Sequence, residues 1–264
     1  MSGLHLEVRG NGPTLALLHG WGLNLRVWDG LADALSDRFR IVAVDLPGHG
    51  LSDWLPESGS LAGQAEQVHE AVSALAGSYS LLGWSLGGQI ALQLAAAGPD
   101  AAVIDRLVLI AATPRLSAGP DWPCGAPPQR LAAQEASLRT DYRRTVADFL
   151  ELQVRGSAGG EAALAQLRAA LFAHGEARPQ ALARGLELLR DGDLRPLLSA
   201  VAQPALVIAG QYDRVTLPAA SQALAELLKD ARFIEIRRAA HAPFLSHLPQ
   251  VSALLTEFLR PNST

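Results

Sequence analysis

The sequence predicts an α/β fold: a mostly parallel central sheet flanked by helices, with a helical cap inserted between two of the later strands. Three observations carry this. Short, nearly continuous apolar runs recur along the chain, bounded by glycine, as strands covered on both faces require. Ala/Leu-rich segments with apolar residues at i, i+3 and i+4 lie between most of them. One long stretch, 113–195, loses the strand signal and then gives way to it again.

In order, the strands are expected at LHLEVRG (4–10), TLALLHG (14–20), RIVAVD (40–45), SYSLLGW (78–84), DRLVLIA (105–111), PALVIAG (204–210) and RFIEIRR (232–238). Helices are expected at 61–76, 86–97, 219–228 and 250–259. The stretch without strands opens on the Pro/Gly-rich run GPDWPCGAPP and continues in helical segments rich in Ala, Leu and Arg. Because the sheet pattern resumes at Pro204, it reads as a cap or lid over the strand ends, where such sheets bind ligands. The expected division is 1–112 with 196–264 as core, and 113–195 as cap.

Composition narrows the function classes. With 49% apolar and 18% charged residues, 264 residues can bury a sizeable core, which excludes a disordered chain. Asp105 and Arg106 interrupt the longest apolar run, AAVIDRLVLIAA, far short of the roughly 18 residues a bilayer span needs. No basic-then-apolar leader is visible at the start, and a single cysteine, Cys124, allows neither a disulfide framework nor a cysteine metal cluster. A cytoplasmic monomer is the expectation. A net charge of −4 without a Lys/Arg block of five argues against nucleic acid or an anionic membrane as partner. No internal repeat is found.

Gly83-Trp84-Ser85-Leu86-Gly87 follows one expected strand and opens one expected helix. This is the G-x-S-x-G pattern, in which glycines permit a tight turn that holds a serine at the sheet edge, against a helix N-terminus suited to developing negative charge. A serine hydroxyl needs a base, and the base an orienting carboxylate. Asp213 (GQYDRV) and His241 (RAAHAPF) follow the last two expected strands in the order Ser, acid, His. They are the candidate partners of Ser85; His5, His49, His69, His174 and His247 are weaker candidates for the base. The loop His19-Gly20-Trp21-Gly22 ends an earlier strand and is placed to supply an oxyanion-hole N–H from Trp21, the second coming from Leu86. DLPGHG (45–50) lacks the G-K-[ST] ending of a phosphate loop and reads as a structural turn.

With HGWG (19–22), DLPGHGLS (45–52), GWSLGG (83–88), GQYDRV (210–215) and AAHAPF (239–244), the chain resembles the α/β-hydrolase superfamily over almost its whole length. HGWGLN (19–24), GWSLGGQIA (83–91), DWP (121–123), RTVADFLELQ (144–153), GLELLRDGDLR (185–195) and AAHAPFLSH (239–247) are similar, more narrowly, to the pimeloyl-[acyl-carrier protein] methyl ester esterases. That resemblance implies hydrolysis of a carrier-bound methyl ester in biotin biosynthesis, with release of methanol and no metal or organic cofactor. It implies Ser85 as nucleophile, His241 as base and then acid, Asp213 as orienting carboxylate, and Trp21, Leu86 and Phe149 as acyl-chain contacts. Relatives with a carboxylate nucleophile are disfavoured by Ser85. A general short-chain carboxylesterase has the same catalytic residues, and a non-catalytic receptor on this fold would be marked by a broken triad.

Acyl carrier protein is the partner implied. Between 115 and 195 there are 11 Arg and no Lys against 10 Asp and Glu, whereas the rest of the chain has 11 basic against 16 acidic residues. Arg139, Arg143 and Arg144 are spaced by four and one, so on a single helix Arg139 and Arg143 share a face, and Arg155 extends the patch. Asp148, beside Phe149, stands where the resemblance leads one to expect another arginine.

Overall fold

The computed structural model describes residues 3–260 of the chain, so the first two and last four residues of the expected core lie outside it. Seven strands form one sheet: β1 (Leu6–Arg9), β2 (Thr14–Leu18), β3 (Arg40–Val44), β4 (Tyr79–Trp84), β5 (Ile104–Ile110), β6 (Ala205–Gly210) and β7 (Ala231–Ile236). Their order is β1-β3-β2-β4-β5-β6-β7. Only β1 runs antiparallel, pairing Leu6 with Val44 and Arg9 with Ile41. Each strand was expected within two residues of where it begins and within two of where it ends.

The helices in chain order are α1 (Asp29–Leu35), α2 (Leu61–Ser73), α3 (Leu86–Ala97), α4 (Pro128–Thr140), α5 (Tyr142–Val154), α6 (Gly160–Ala173), α7 (Pro179–Asp191), α8 (Pro218–Leu227), α9 (Pro243–Ser246) and α10 (Leu248–Phe258). Four of them, α4 to α7, fall between β5 and β6, in the stretch without strand signal. Burial follows the apolar runs: every residue of β4 and β6 is buried, and α3 buries Leu86, Ile90, Ala91, Leu92, Leu94 and Ala95. A helix apolar on nearly all sides is a core helix, and α3 packs between the sheet and α2.

The order of the strands places the site. From β2 the chain moves outward to β3 and then returns to the other side of β2 for β4, so the strand order reverses between β2 and β4. In sheets of this kind ligands bind outside the C-terminal ends of the strands where the order reverses, the place from which the loops after β2 and β4 leave.

One expectation fails. Arg139 and Arg143 do not share a helix, because the chain breaks between α4 and α5 at Asp141. The Thr140 hydroxyl turns back to the Ser137 carbonyl at 3.0 Å, and the Asp141 carboxylate accepts the Arg144 N–H at 3.1 Å, capping a new helix. The arginine spacing hides the break; the aspartate that causes it lies between.

Candidate active site

Ser85 sits between β4 and α3 with φ +55° and ψ −116°, a conformation that L-residues avoid. Its neighbours hold it there. The Ser85 N–H donates to the Ile110 carbonyl at 3.1 Å, and its own carbonyl accepts from Gly88 at 2.9 Å and Gln89 at 3.2 Å as α3 begins. A Cβ on Gly83 would lie 2.3 Å from the Gly87 oxygen, and one on Gly87 would lie 2.4 Å from the Leu18 oxygen. The pattern's two glycines are therefore required by backbone contacts, as the motif implies.

The structure brings Asp213 and His241 together after β6 and β7. His241 Nδ1 is 2.8 Å from Asp213 Oδ2, while Asp213 Oδ1 accepts the N–H groups of Val215 at 2.8 Å and Thr216 at 3.0 Å. A carboxylate only accepts, so the proton is on Nδ1, and Nε2 keeps its lone pair. Nε2 is buried and has no hydrogen-bond partner among the described residues, Ser85 included. Contacts between such groups are often long before substrate binds.

Trp84, the residue before Ser85, ties the two loops together. Its indole N–H donates to the His241 carbonyl at 2.9 Å, and its ring centroid lies 5.5 Å from the imidazole. Trp28 and Phe244 back it, with centroids 6.2 and 4.9 Å from Trp84.

The loop after β2 closes the other side. A Cβ on Gly20 would fall 3.4 Å from Ser85 Cβ, so the chain passes directly over the serine before reaching Trp21. Leu86 is the first residue of α3, where the N–H groups have no partner within the helix. His19 is fixed inside this loop: Nδ1–H donates to the Gly20 carbonyl at 2.8 Å, and Nε2 accepts the Leu46 N–H at 3.0 Å. Burial, followed by the charge of His49, holds His19 well below the ordinary histidine range. Burial likewise lowers His49 to about 4. Within the DLPGHG turn, His49 Nε2 accepts the Gly22 N–H at 3.3 Å, tying the turn to the loop after β2.

Trp21, Leu86 and Phe149 also converge. Trp21 meets Phe149 edge to face with centroids 5.2 Å apart, and its indole N–H donates to Leu182 of α7 at 2.9 Å. A Cβ on Gly185 would lie 2.7 Å from Trp21 and 3.6 Å from Leu86. Phe149 forms one wall of a cleft of about 220 Å³ between α4 and α5 that Arg130, Gln134, Thr145 and Leu152 also line. One residue was missed by sequence reasoning: Gln153, whose carbonyl accepts the His241 N–H at 2.9 Å and whose buried Oε1 has no partner among the described residues. Its only signal was its place in RTVADFLELQ, four residues after Phe149 and thus on one helical face with it.

Ser85, Asp213 and His241 are buried, at 8%, 3% and 1% exposed. The four arginines are at the surface. Arg139 pairs with Glu135 at 3.4 Å, Arg143 with Glu176 at 3.5 Å and Arg144 with Asp148 at 3.7 Å, while Arg155 directly follows α5. No helix among the described residues is long and apolar enough to cross a membrane.

Comparison with known proteins agrees with this geometry. The family model described as the α/β hydrolase fold matches residues 13–248. The pimeloyl-[acyl-carrier protein] methyl ester esterase of Nitrosomonas europaea is 41% identical over 248 residues, covering 93% of this chain and 95% of that protein. That of Xanthomonas oryzae pv. oryzae is also 41% identical, over 97% of this chain and 98% of its own. Among solved structures, an esterase from Exiguobacterium antarcticum superposes with a TM-score of 0.86 over 97% of this chain and 94% of that one, and at 23% identity it shares the fold. The chain belongs to the α/β-hydrolase family and, within it, to the branch of the pimeloyl-[acyl-carrier protein] methyl ester esterases.

Proposed function

We propose that this chain is a serine carboxylesterase that hydrolyses the methyl ester of pimeloyl-[acyl-carrier protein] in biotin biosynthesis, with acyl carrier protein as its partner. The observation that carries the reading is the buried Asp213–His241 pair, 2.8 Å apart, beside a serine forced to positive φ at the strand reversal. Ser85 Oγ attacks the ester carbonyl while His241 Nε2 takes its proton, and the oxyanion is held by the N–H groups of Trp21 and Leu86. His241 then protonates the leaving methoxide, so methanol departs and an acyl-enzyme remains. Water attacks it with His241 again as base, releasing the free carboxylate and restoring Ser85.

In this reading 113–195 is a cap on a core of 1–112 and 196–264. The wall of Trp21, Leu86 and Phe149 takes the apolar chain, and Arg139, Arg143, Arg144 and Arg155 meet the acidic carrier. The present partners of Arg139, Arg143 and Arg144 are carboxylates, and exposed pairs of this kind are worth only about 0–1 kcal/mol, so exchanging them for carrier carboxylates costs little. The same triad serves a general esterase; the cap distinguishes the two. The experiment is to measure kcat/KM on the carrier-bound methyl ester and on a small neutral ester, from low salt to 1 M, in the wild type and in an Arg139, Arg143, Arg144 triple glutamate variant. A loss on the order of tenfold, confined to the carrier-bound ester, is expected in the variant and at high salt. Equal losses on both substrates would remove the carrier protein from the reading.

A further inference from the structure

Three side chains able to bind a metal meet where the first strand passes beneath the cap. His5 directly precedes β1, Glu7 lies within it, and His174 is the residue that ends α6. One donor atom from each lies within 4.8 Å of the others. The two imidazole centroids are 5.1 Å apart, and His5 Nε2 is 3.7 Å from Glu7 Oε1. That nitrogen is buried and makes no hydrogen bond among the described residues.

The second layer is also in place. His174 Nε2 lies 2.9 Å from Asp45 Oδ2, and Asp45 is held on both oxygens by the N–H groups of Leu25 and Leu51 at 2.8 and 2.9 Å. An aspartate that accepts one ring N–H of a histidine leaves the other ring nitrogen with its lone pair, which is how ligating histidines are oriented.

We propose that His5, Glu7 and His174 bind a borderline divalent ion of the zinc type, with water as the fourth ligand, joining the first strand to the cap. Two imidazoles and one carboxylate form the donor set such ions take. Arg26 pairs with Glu7 Oε1, and Arg9 stands 3.7 Å from Oε2, so the ion competes with two guanidinium groups for the carboxylate. The site is accordingly weaker than a structural zinc site, with a micromolar Kd. Bound there, the ion adds to the ties already made at this margin by Asn24, which donates to the Ala170 carbonyl at 2.9 Å, and by Arg178, whose N–H donates to Gly48 at 2.7 Å.

The test is calorimetric titration of zinc into the chelator-stripped full chain, followed by thermal melting. One equivalent should bind, and a hundredfold excess over Kd should raise Tm by roughly 5 °C. His5→Gln and His174→Gln should each weaken binding at least tenfold, with no change in His247→Gln. Because His5 is partly exposed, its variant gives the answer even if the buried His174 change disturbs folding. Binding well below one equivalent, or undiminished in His5→Gln, overturns the site.

Discussion

Helix α3, which follows β4, and helix α4, in the stretch between β5 and β6, are nearly the same length, 12 and 13 residues, yet α3 buries nine of its residues and α4 only Leu131. The first follows directly on Ser85 and packs against the sheet and α2; the second rests on α5 and α7 and faces solvent. Groups that must hold a geometry to within a fraction of an ångström are built on the part of the molecule that cannot adjust. The stretch between β5 and β6 is tied to the rest of the fold by contacts such as the Trp21 indole N–H to the Leu182 carbonyl, and it shares the buried core through Leu150, Leu167 and Leu186.

Three experiments press on this contrast. The largest effect is expected in the core, where Ser85→Ala or His241→Ala should lower turnover by on the order of 10⁶ on any ester, Asp213→Ala by somewhat less, and double variants by no more than the singles. A Ser85→Ala enzyme with a tenth of the activity would dissolve the contrast. Next, Leu86→Pro removes one backbone donor at the start of α3, for which a loss of about 10² to 10³ in kcat is expected. Near-normal turnover in that variant would exclude this N–H from the oxyanion hole.

The smallest effect concerns acid. His49 lies near 4 when folded, against about 6.5 for an exposed histidine, so the unfolded chain binds the extra proton between those values. The stability it contributes is complete above about 6.5, is lost as pH falls toward 4, and amounts to about 3 kcal/mol. His19 acts in the same direction. Urea titrations from pH 7.5 to 4 should show this loss, and His49→Gln should flatten it; an unchanged acid limb in the variant would place the sensitivity elsewhere.

The contrast also explains what could be read in advance. The inner strands were legible because two-sided burial demands unbroken apolar runs, as in ALVIAG of β6, and the partly buried edge strands β1 and β7 because apolar and polar residues alternate in them. The placing of Ser85, Asp213 and His241 after strands β4, β6 and β7 was legible because the proposed roles call for particular residue types at strand ends, and the structure brings Asp213 and His241 to 2.8 Å. The turn at 25–28 and α1 were not, since DGLADAL is too short for a helical period to stand out. In the cap, charge spacing suggested one helix through Arg139 and Arg143, whereas a single capping aspartate, Asp141, made two. Long-range partners such as Asp45 and His174, 129 residues apart, leave no local pattern at all.

The indole of Trp84 gives Ser85 and His241 a common datum. Ser85 is its covalent neighbour, and His241, 157 residues away along the chain, hangs from its N–H by the backbone carbonyl. Error in their separation is therefore not accumulated over the intervening helices but set across one rigid ring. The variable middle position of a G-x-S-x-G motif is, in this molecule, a gauge.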